Sequence, residues 1–291
     1  MKEIYEIQSL EDLKEIFNAA CLAEEKYILI NLFENLLTKE YLCDEDVLEE
    51  GIIFCCENNK VESLKFLITS EKTLPYLKYN KWGEALQIAI VNKSDDIFKY
   101  LSEYIETNNM FYSVDYNQLY KAACICGNIK ALKYLFAKPN PIPDVHFEND
   151  ISFLKACFYG NLDVVKFLLE SELLKNKIDI NTNNDSGIIY ACMGKHKSVV
   201  KYLLMSPTIK KHSSIHINGS MPFIFLCENN MNDVLDYFIF KKNMEITESI
   251  YNYLKANDNL AKEMFKKRDA ISDLDKLLEN KNIIDNKETK I

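Results

Sequence analysis

Apolar and polar positions along the chain repeat one six-residue phrase: two apolar residues, a polar one, an aromatic and two more apolar ones. Val164-Val165-Lys166-Phe167-Leu168-Leu169 returns as Val199-Val200-Lys201-Tyr202-Leu203-Leu204 and as Val234-Leu235-Asp236-Tyr237-Phe238-Ile239. Upstream the phrase occupies 131–136, 97–102 and 63–68, with starts 34, 34, 33, 35 and 35 residues apart, and 28–33 holds a weaker copy. Apolar residues three and four apart share one face of a helix, so each phrase predicts a short helix with one buried stripe. A second phrase, a small residue followed by Cys, precedes each copy at a fixed interval: Ala20-Cys21, Cys55-Cys56, Ala123-Cys124, Ala156-Cys157 and Ala191-Cys192, with Leu226-Cys227 and Ala89-Ile90 in the same place. It predicts a first helix in each repeat, and three residues after the Cys comes the turn between the helices, with Gly127-Asn128 and Gly160-Asn161 in the middle of the chain. Glycine suits a left-handed residue that ends a helix.

Two short helices and a connector fit a unit of 33 to 35 residues, but one pair cannot bury its apolar stripe alone. Stacking solves this. Small residues such as Ala123 and Ala156 let neighbouring first helices approach closely. The expected fold is therefore all-α, a solenoid of about seven stacked helix-turn-helix repeats over 1–245 with an acidic N-terminal cap. Residues 246–279 are expected to form a helical cap or a degenerate repeat, and 280–291 a flexible tail.

The phrases resemble the ankyrin repeat: a turn, a first helix with two small residues, a Gly-centred turn and a second helix with an apolar run. Asp179-Ile180-Asn181 through Asp185-Ser186-Gly187 is similar to the family's hairpin tip, and Met221-Pro222-Phe223-Ile224 to its helix-start signature. Elsewhere that signature becomes Ile151-Ser152-Phe153-Leu154 or Gln118-Leu119-Tyr120-Lys121, without the Thr and His whose hydrogen bonds start the helix. The resemblance covers roughly 11–245 and implies a non-catalytic scaffold that binds another protein through its concave side, made of hairpin tips and first helices.

Composition changes this picture little. Only 7 Gly and 6 Pro stand against 48% hydrophobic residues, which suits a helical chain with a sizeable core. Charge is uneven: residues 1–50 hold 4 Lys against 14 Asp and Glu, or −10 of the total of −9, so the remainder sums to +1. No dense basic cluster appears beyond Lys266-Lys267-Arg268, flanked by Glu263 and Asp269, so nucleic acid is not the expected partner. No apolar run is long enough for a membrane span, and the acidic start does not look like a secretory signal. Nine cysteines in a chain this long favour a reducing compartment, so the expected setting is cytoplasmic, with the nucleus or a host cell as alternatives, and the chain is expected to be monomeric.

The candidate chemistry is sparse. Six cysteines share one register position and would stand roughly 10 Å apart in a stack, beyond the ~7 Å between Cα atoms that a disulfide allows. They read as small buried hydrophobes, which leaves Cys43, Cys55 and Cys126 as the candidates for reactive thiols. His212 and His216 are four apart but fall in a connector with no further ligand nearby. No nucleophile with a base, no phosphate loop, no metal set and no cofactor site is expected. The lysine ladder Lys65, Lys99, Lys133, Lys166 and Lys201 reads as a solvated outer face, and the aromatic after each one as packing between second helices. The surface that varies between copies is then the candidate partner site: tips at Tyr79, Trp82, Tyr116, His146, Phe147, Asn183, Asn184 and His216, and first-helix positions Ile125, Phe158, Tyr159, Tyr190, Met193 and Phe225. The alternative is an adaptor whose C-terminal segment carries a recruitment helix, as in some pathogen and viral ankyrin proteins.

Overall fold

The computed structural model describes residues 9–34, 45–71, 73–74, 81–138, 141–209, 212–242 and 244–257. Tyr79, Cys43, the 266–268 step and the expected tail lie outside them. Among the described residues every element is a helix, with no strand. Seven helix pairs follow one another: α1 Leu10–Ala23 with α2 Lys26–Glu34, α3 Glu45–Asn58 with α4 Val61–Thr69, α5 Trp82–Val91 with α6 Asp95–Thr107, and α7 Tyr116–Cys126 with α8 Ile129–Ala137. Then come α9 Phe147–Phe158 with α10 Leu162–Glu170, α11 Thr182–Met193 with α12 Lys197–Met205, and α13 Ile217–Glu228 with α14 Asn232–Asp236, which runs into a π-turn at Tyr237–Lys241. A last helix, α15, spans Glu248–Ala256.

The chain divides into two compact units, 1–156 with 163–178 and 157–162 with 179–291. In the first, first helices pack on first helices in the order α1, α3, α5, α7, and second helices on second helices in the order α2, α4, α6, α8. In the second, α13 packs between α11 and α15.

The turn between the helices of each pair is the most regular feature of the chain. Glu24, Asn59, Lys93, Gly127, Gly160, Lys195 and Asn230, each three residues after the ladder position, all have positive φ, from 54° to 74°. The carbonyl of the small residue before the ladder position then accepts from the N–H five residues on, as in Glu25 to Ala20 (3.0 Å), Lys60 to Cys55 (3.0 Å), Ser94 to Ala89 (2.8 Å), Asn128 to Ala123 (2.9 Å), His196 to Ala191 (3.0 Å) and Met231 to Leu226 (2.9 Å). This is how a helix end satisfies carbonyls that would otherwise lack partners. Gly160 is needed twice over, because its φ is +74° and a Cβ there would lie 2.2 Å from the His196 ring.

Neighbouring repeats are also pinned by side chains. Ser63 Oγ donates to the Cys21 carbonyl (2.9 Å), while Asn128 Nδ2 donates to the Ile90 carbonyl and to Asp95, each at 3.2 Å. Asn128 also caps its own helix through the Ala131 N–H. Gly51 sits in mid-helix, where it costs about 1 kcal/mol relative to Ala, but a Cβ would meet the Phe17 ring at 2.1 Å, so its absence lets α1 and α3 close on each other.

The second-helix aromatics pack as expected in part. Phe33 meets Phe66 at 6.1 Å, Phe98 meets Tyr134 at 5.5 Å and Phe136 meets Phe167 at 6.0 Å between ring centroids. Tyr100 and Tyr134 are only half-buried, and each carries a lysine ammonium over its ring, Lys65 at 5.5 Å and Lys138 at 4.9 Å. Lys138 also pairs with Glu106 at 2.8 Å, and that hydrogen bond, with the Tyr134 hydroxyl, pushes its ammonium up to about 12. In the lysine ladder, Lys65 pairs with Glu62 and Lys201 with Asp233.

Candidate binding face of the first helices

Hairpin tips and first helices position the candidate residues, and three tips share one construction. At 148–150, 183–185 and 218–220 three consecutive residues have positive φ, between 49° and 65°. Asn, Asp and Gly, the residues that tolerate this conformation best, fill seven of the nine positions. Before each turn stands a buried aliphatic, Val145, Ile180 or Ile215. Then comes a residue whose N–H donates to the side chain two positions back: His146 to Asp144 (2.9 Å), Asn181 to Asp179 (2.9 Å) and His216 to Ser214 (3.2 Å). Side chains close two of the turns, His146 Nδ1 with Asp150 at 2.7 Å and Asn181 Nδ2 donating to Asp185. The regular helix starts only after the left-handed turn, and Pro222 falls in its first turn, where a missing N–H costs nothing. The α7 tip is simpler: Asp115 caps the helix by accepting from the N–H groups of Asn117 and Gln118.

The structure sorts the predicted site residues. Trp82 is 3% exposed and packs on Tyr104 with 5.4 Å between centroids, and Phe225 is 6% exposed, so both belong to the core and not to a binding surface. Tyr116 is half-buried, and burial first, then Glu106 and Tyr134, pushes its hydroxyl up to about 12. Ile125, His216 and Phe147 are half-buried, the last under the Lys121 ammonium, which is paired to Glu148 at 2.6 Å. His146, Asn183 and Asn184 are exposed.

Four predicted residues come together in the second unit. Phe158 meets Tyr159 edge-on at 5.2 Å and Tyr190 at 6.3 Å, while Met193, one helical turn beyond Tyr190, is 56% exposed and Tyr159 48%. Phe158 and Met193 both occupy the position one after the ladder cysteine. That position also exposes Leu22 (48%) and Val91 (51%) in the first unit, two residues that the candidate set omits. The register alone would have found them, since Ile125 at the same position is in the set.

The cysteines form the expected buried ladder: Cys21, Cys56, Cys124, Cys157, Cys192 and Cys227 are all core residues with free thiols. Burial pushes Cys56, Cys192 and Cys227 up to about 12, where none is a nucleophile at neutral pH. Cys55 departs from the expectation of a reactive thiol. It is fully buried, and a hydrogen bond with Cys21, then burial, hold its thiol protonated, so it is not a reactive candidate. Cys126 is half-buried, with its thiol raised by burial and donating to the Ile90 carbonyl at 3.4 Å. His212 and His216 do different local work, His212 Nε2 lying 2.7 Å from the Ser206 carbonyl and His216 in its tip. Among the described residues no group of three or more His, Cys, Asp or Glu could hold a metal, and no helix is long and apolar enough to cross a membrane.

A family model for ankyrin repeats, in three copies, matches residues 119–215 and 153–250. No curated protein and no solved structure matches the chain.

Proposed function

Because an ankyrin-repeat family model matches residues 119–250 and the same helix-pair register runs through the described residues on either side, we propose that this chain is an ankyrin-repeat protein, a non-catalytic scaffold or adaptor that holds another protein against the exposed side of its first helices. Ankyrin repeats generally mediate protein–protein interaction. The observation that carries the reading is the cluster of Phe158, Tyr159, Tyr190 and Met193, large apolar and aromatic side chains that the second unit leaves on its surface. Such side chains supply most of the energy of protein interfaces, and a contiguous patch of them marks an interaction site more than a lone exposed residue does. In the same unit, the exposed tip residues Asn183 and Asn184 offer polar groups to a partner, and His146 does so on the first unit. The setting is the cytoplasm, and the partner a protein and not a nucleic acid, since the surface of these helices offers no basic stripe.

Proximity labelling in cells with the wild-type chain and with the double variant Phe158→Glu, Tyr159→Glu tests the reading. The variant is expected to lose a defined set of partners while its helical signal and melting temperature stay close to wild type. Recovery of the same partners by both chains would place the interaction elsewhere.

A further inference from the structure

We propose that the exposed side of the first helices in the first unit takes a basic segment of the partner, one in which a lysine or arginine stands between apolar residues. The inference rests on the protein-binding reading above and deepens it. Its site is a groove of about 400 Å³ on the exposed side of α1, α3 and α5, lined by Asn18, Glu49, Glu50, Ile53, Phe54 and Glu57, with Lys81 and Glu84 at one end. The floor is apolar: Ile53 and Phe54 are half-buried there, with side-chain surface left for a ligand. The rim is acidic, four glutamates against one lysine.

Two of the carboxylates are already neutralised, Glu49 by Lys81 at 3.2 Å and Glu50 by Lys14 at 2.7 Å. Glu57 and Glu84 have no cation within ion-pairing distance among the described residues. Their placement follows from the repeat. Glu57 occupies the register position one after the ladder cysteine, where the neighbouring repeats expose Leu22 and Val91, so three stacked first helices present apolar, acidic, apolar in that order. Glu15, Glu50 and Glu84 share another register position, which puts one carboxylate on each of the same helices. A partner that offered only apolar side chains would strand Glu57 without a counter-charge, and a phosphate-bearing partner would meet repulsion. A cationic side chain between two apolar ones satisfies all three positions. The −10 charge of residues 1–50 adds a longer-range field that favours approach of a basic segment.

The test uses the full chain and two fluorescein-labelled synthetic peptides, one alternating leucine with arginine and one alternating leucine with glutamate, read by fluorescence anisotropy at low and physiological ionic strength. Two double variants change the net charge equally: Glu57→Lys, Glu84→Lys in the groove, and Glu71→Lys, Glu103→Lys on exposed positions after α4 and in α6. The arginine peptide is expected to bind wild type and the outer variant alike, more tightly at low salt, and the groove variant about 10-fold or more weakly; the glutamate peptide is expected not to bind. The neutral pair Glu57→Gln, Glu84→Gln should show a smaller loss in the same direction, which covers the case that the lysine variant misfolds. Equal weakening by both lysine variants, unchanged binding by the groove variant, or no binding of the arginine peptide to wild type would each overturn the inference. None of these outcomes bears on the Phe158 and Tyr159 patch, whose failure is read from the partner set alone.

Discussion

Lys93 and Lys195 show what a single residue can cost in this chain. Each sits at the left-handed turn position with φ of 57° and 62°, where two other repeats use glycine. A side chain there crowds the following carbonyl and is disfavoured by up to about 1 kcal/mol. Lys93→Gly and Lys195→Gly are therefore expected each to raise the unfolding free energy by a few tenths to about 1 kcal/mol in urea titrations, after the entropy that glycine adds to the unfolded chain is subtracted. Gly160→Ala is expected to do the reverse by about 2 kcal/mol or more, since strain at its φ of +74° adds to a Cβ 2.2 Å from the His196 ring. If both lysine variants destabilise, the turn is not left-handed at those sites. The turn's place was legible from spacing, three residues after the ladder cysteine. That Glu24, Asn59, Lys93, Lys195 and Asn230 would adopt it without glycine was not, because their identities carry no common signal and only the neighbouring helices impose the conformation.

The helical elements were legible because their signal is periodic. The second-helix phrases fall in helices, and the small-Cys pairs fall in or at the end of first helices. The tips were legible only as places. A run of three left-handed residues has no hydrophobic period to announce it, and what marks 148–150, 183–185 and 218–220 is the company they keep: a buried aliphatic and a side-chain acceptor two positions before the His or Asn. The binding-face candidates met the same limit. Trp82 and Phe225 look like surface aromatics by register, yet their helices turn them inward, while Leu22 and Val91 look like core residues by type and face out. Asn184→Val, a β-branched residue at φ of 58°, should lower stability by more than about 1 kcal/mol, whereas Asn184→Gly should leave it equal or higher. Equal melting of the two variants would show that the tip is not held in this conformation.

Two expectations concern the molecule as a whole. Buried thiols and tyrosines keep protons in the folded chain that the unfolded chain releases: Cys56, Cys192, Cys227 and Tyr116 are pushed up to about 12, and burial raises Tyr120 further. Groups with raised values of this kind contribute their stability in full below the unfolded values of about 9 for cysteine and 10 for tyrosine, and lose it as the pH climbs through the folded ones. Urea midpoints should therefore be insensitive to these groups below pH 9 and fall steadily from pH 9 to 12, less steeply in a Cys56→Ala, Cys192→Ala, Cys227→Ala chain. A midpoint that held level across that window would refute the assignment. The second expectation is for the C-terminal end. In α15, capped by Thr247, Ile250 and Leu254 are buried and Tyr253 meets Phe223 at 6.5 Å, so ending the chain after residue 245 uncovers α13. Removing two buried aliphatics of this size is worth about 3 kcal/mol or more, and the shortened chain should melt earlier and expose dye-binding apolar surface. A truncated chain that melts like the whole would show that α15 does not cap the stack, and would leave its role in the full chain to recruiting a second partner. The cross-repeat bonds of Ser63 and Asn128 also bear on how the chain comes together. The carbonyls of Cys21 and Ile90 already accept from Glu24 and Lys93 in their own turns, and they gain these second bonds only when the succeeding segment arrives, so an intermediate ending at either helix keeps a wetted lone pair ready for the next addition. Growth by accretion from a seed, like the closing of a zip fastener, follows from two hydrogen bonds that no repeat can make for itself.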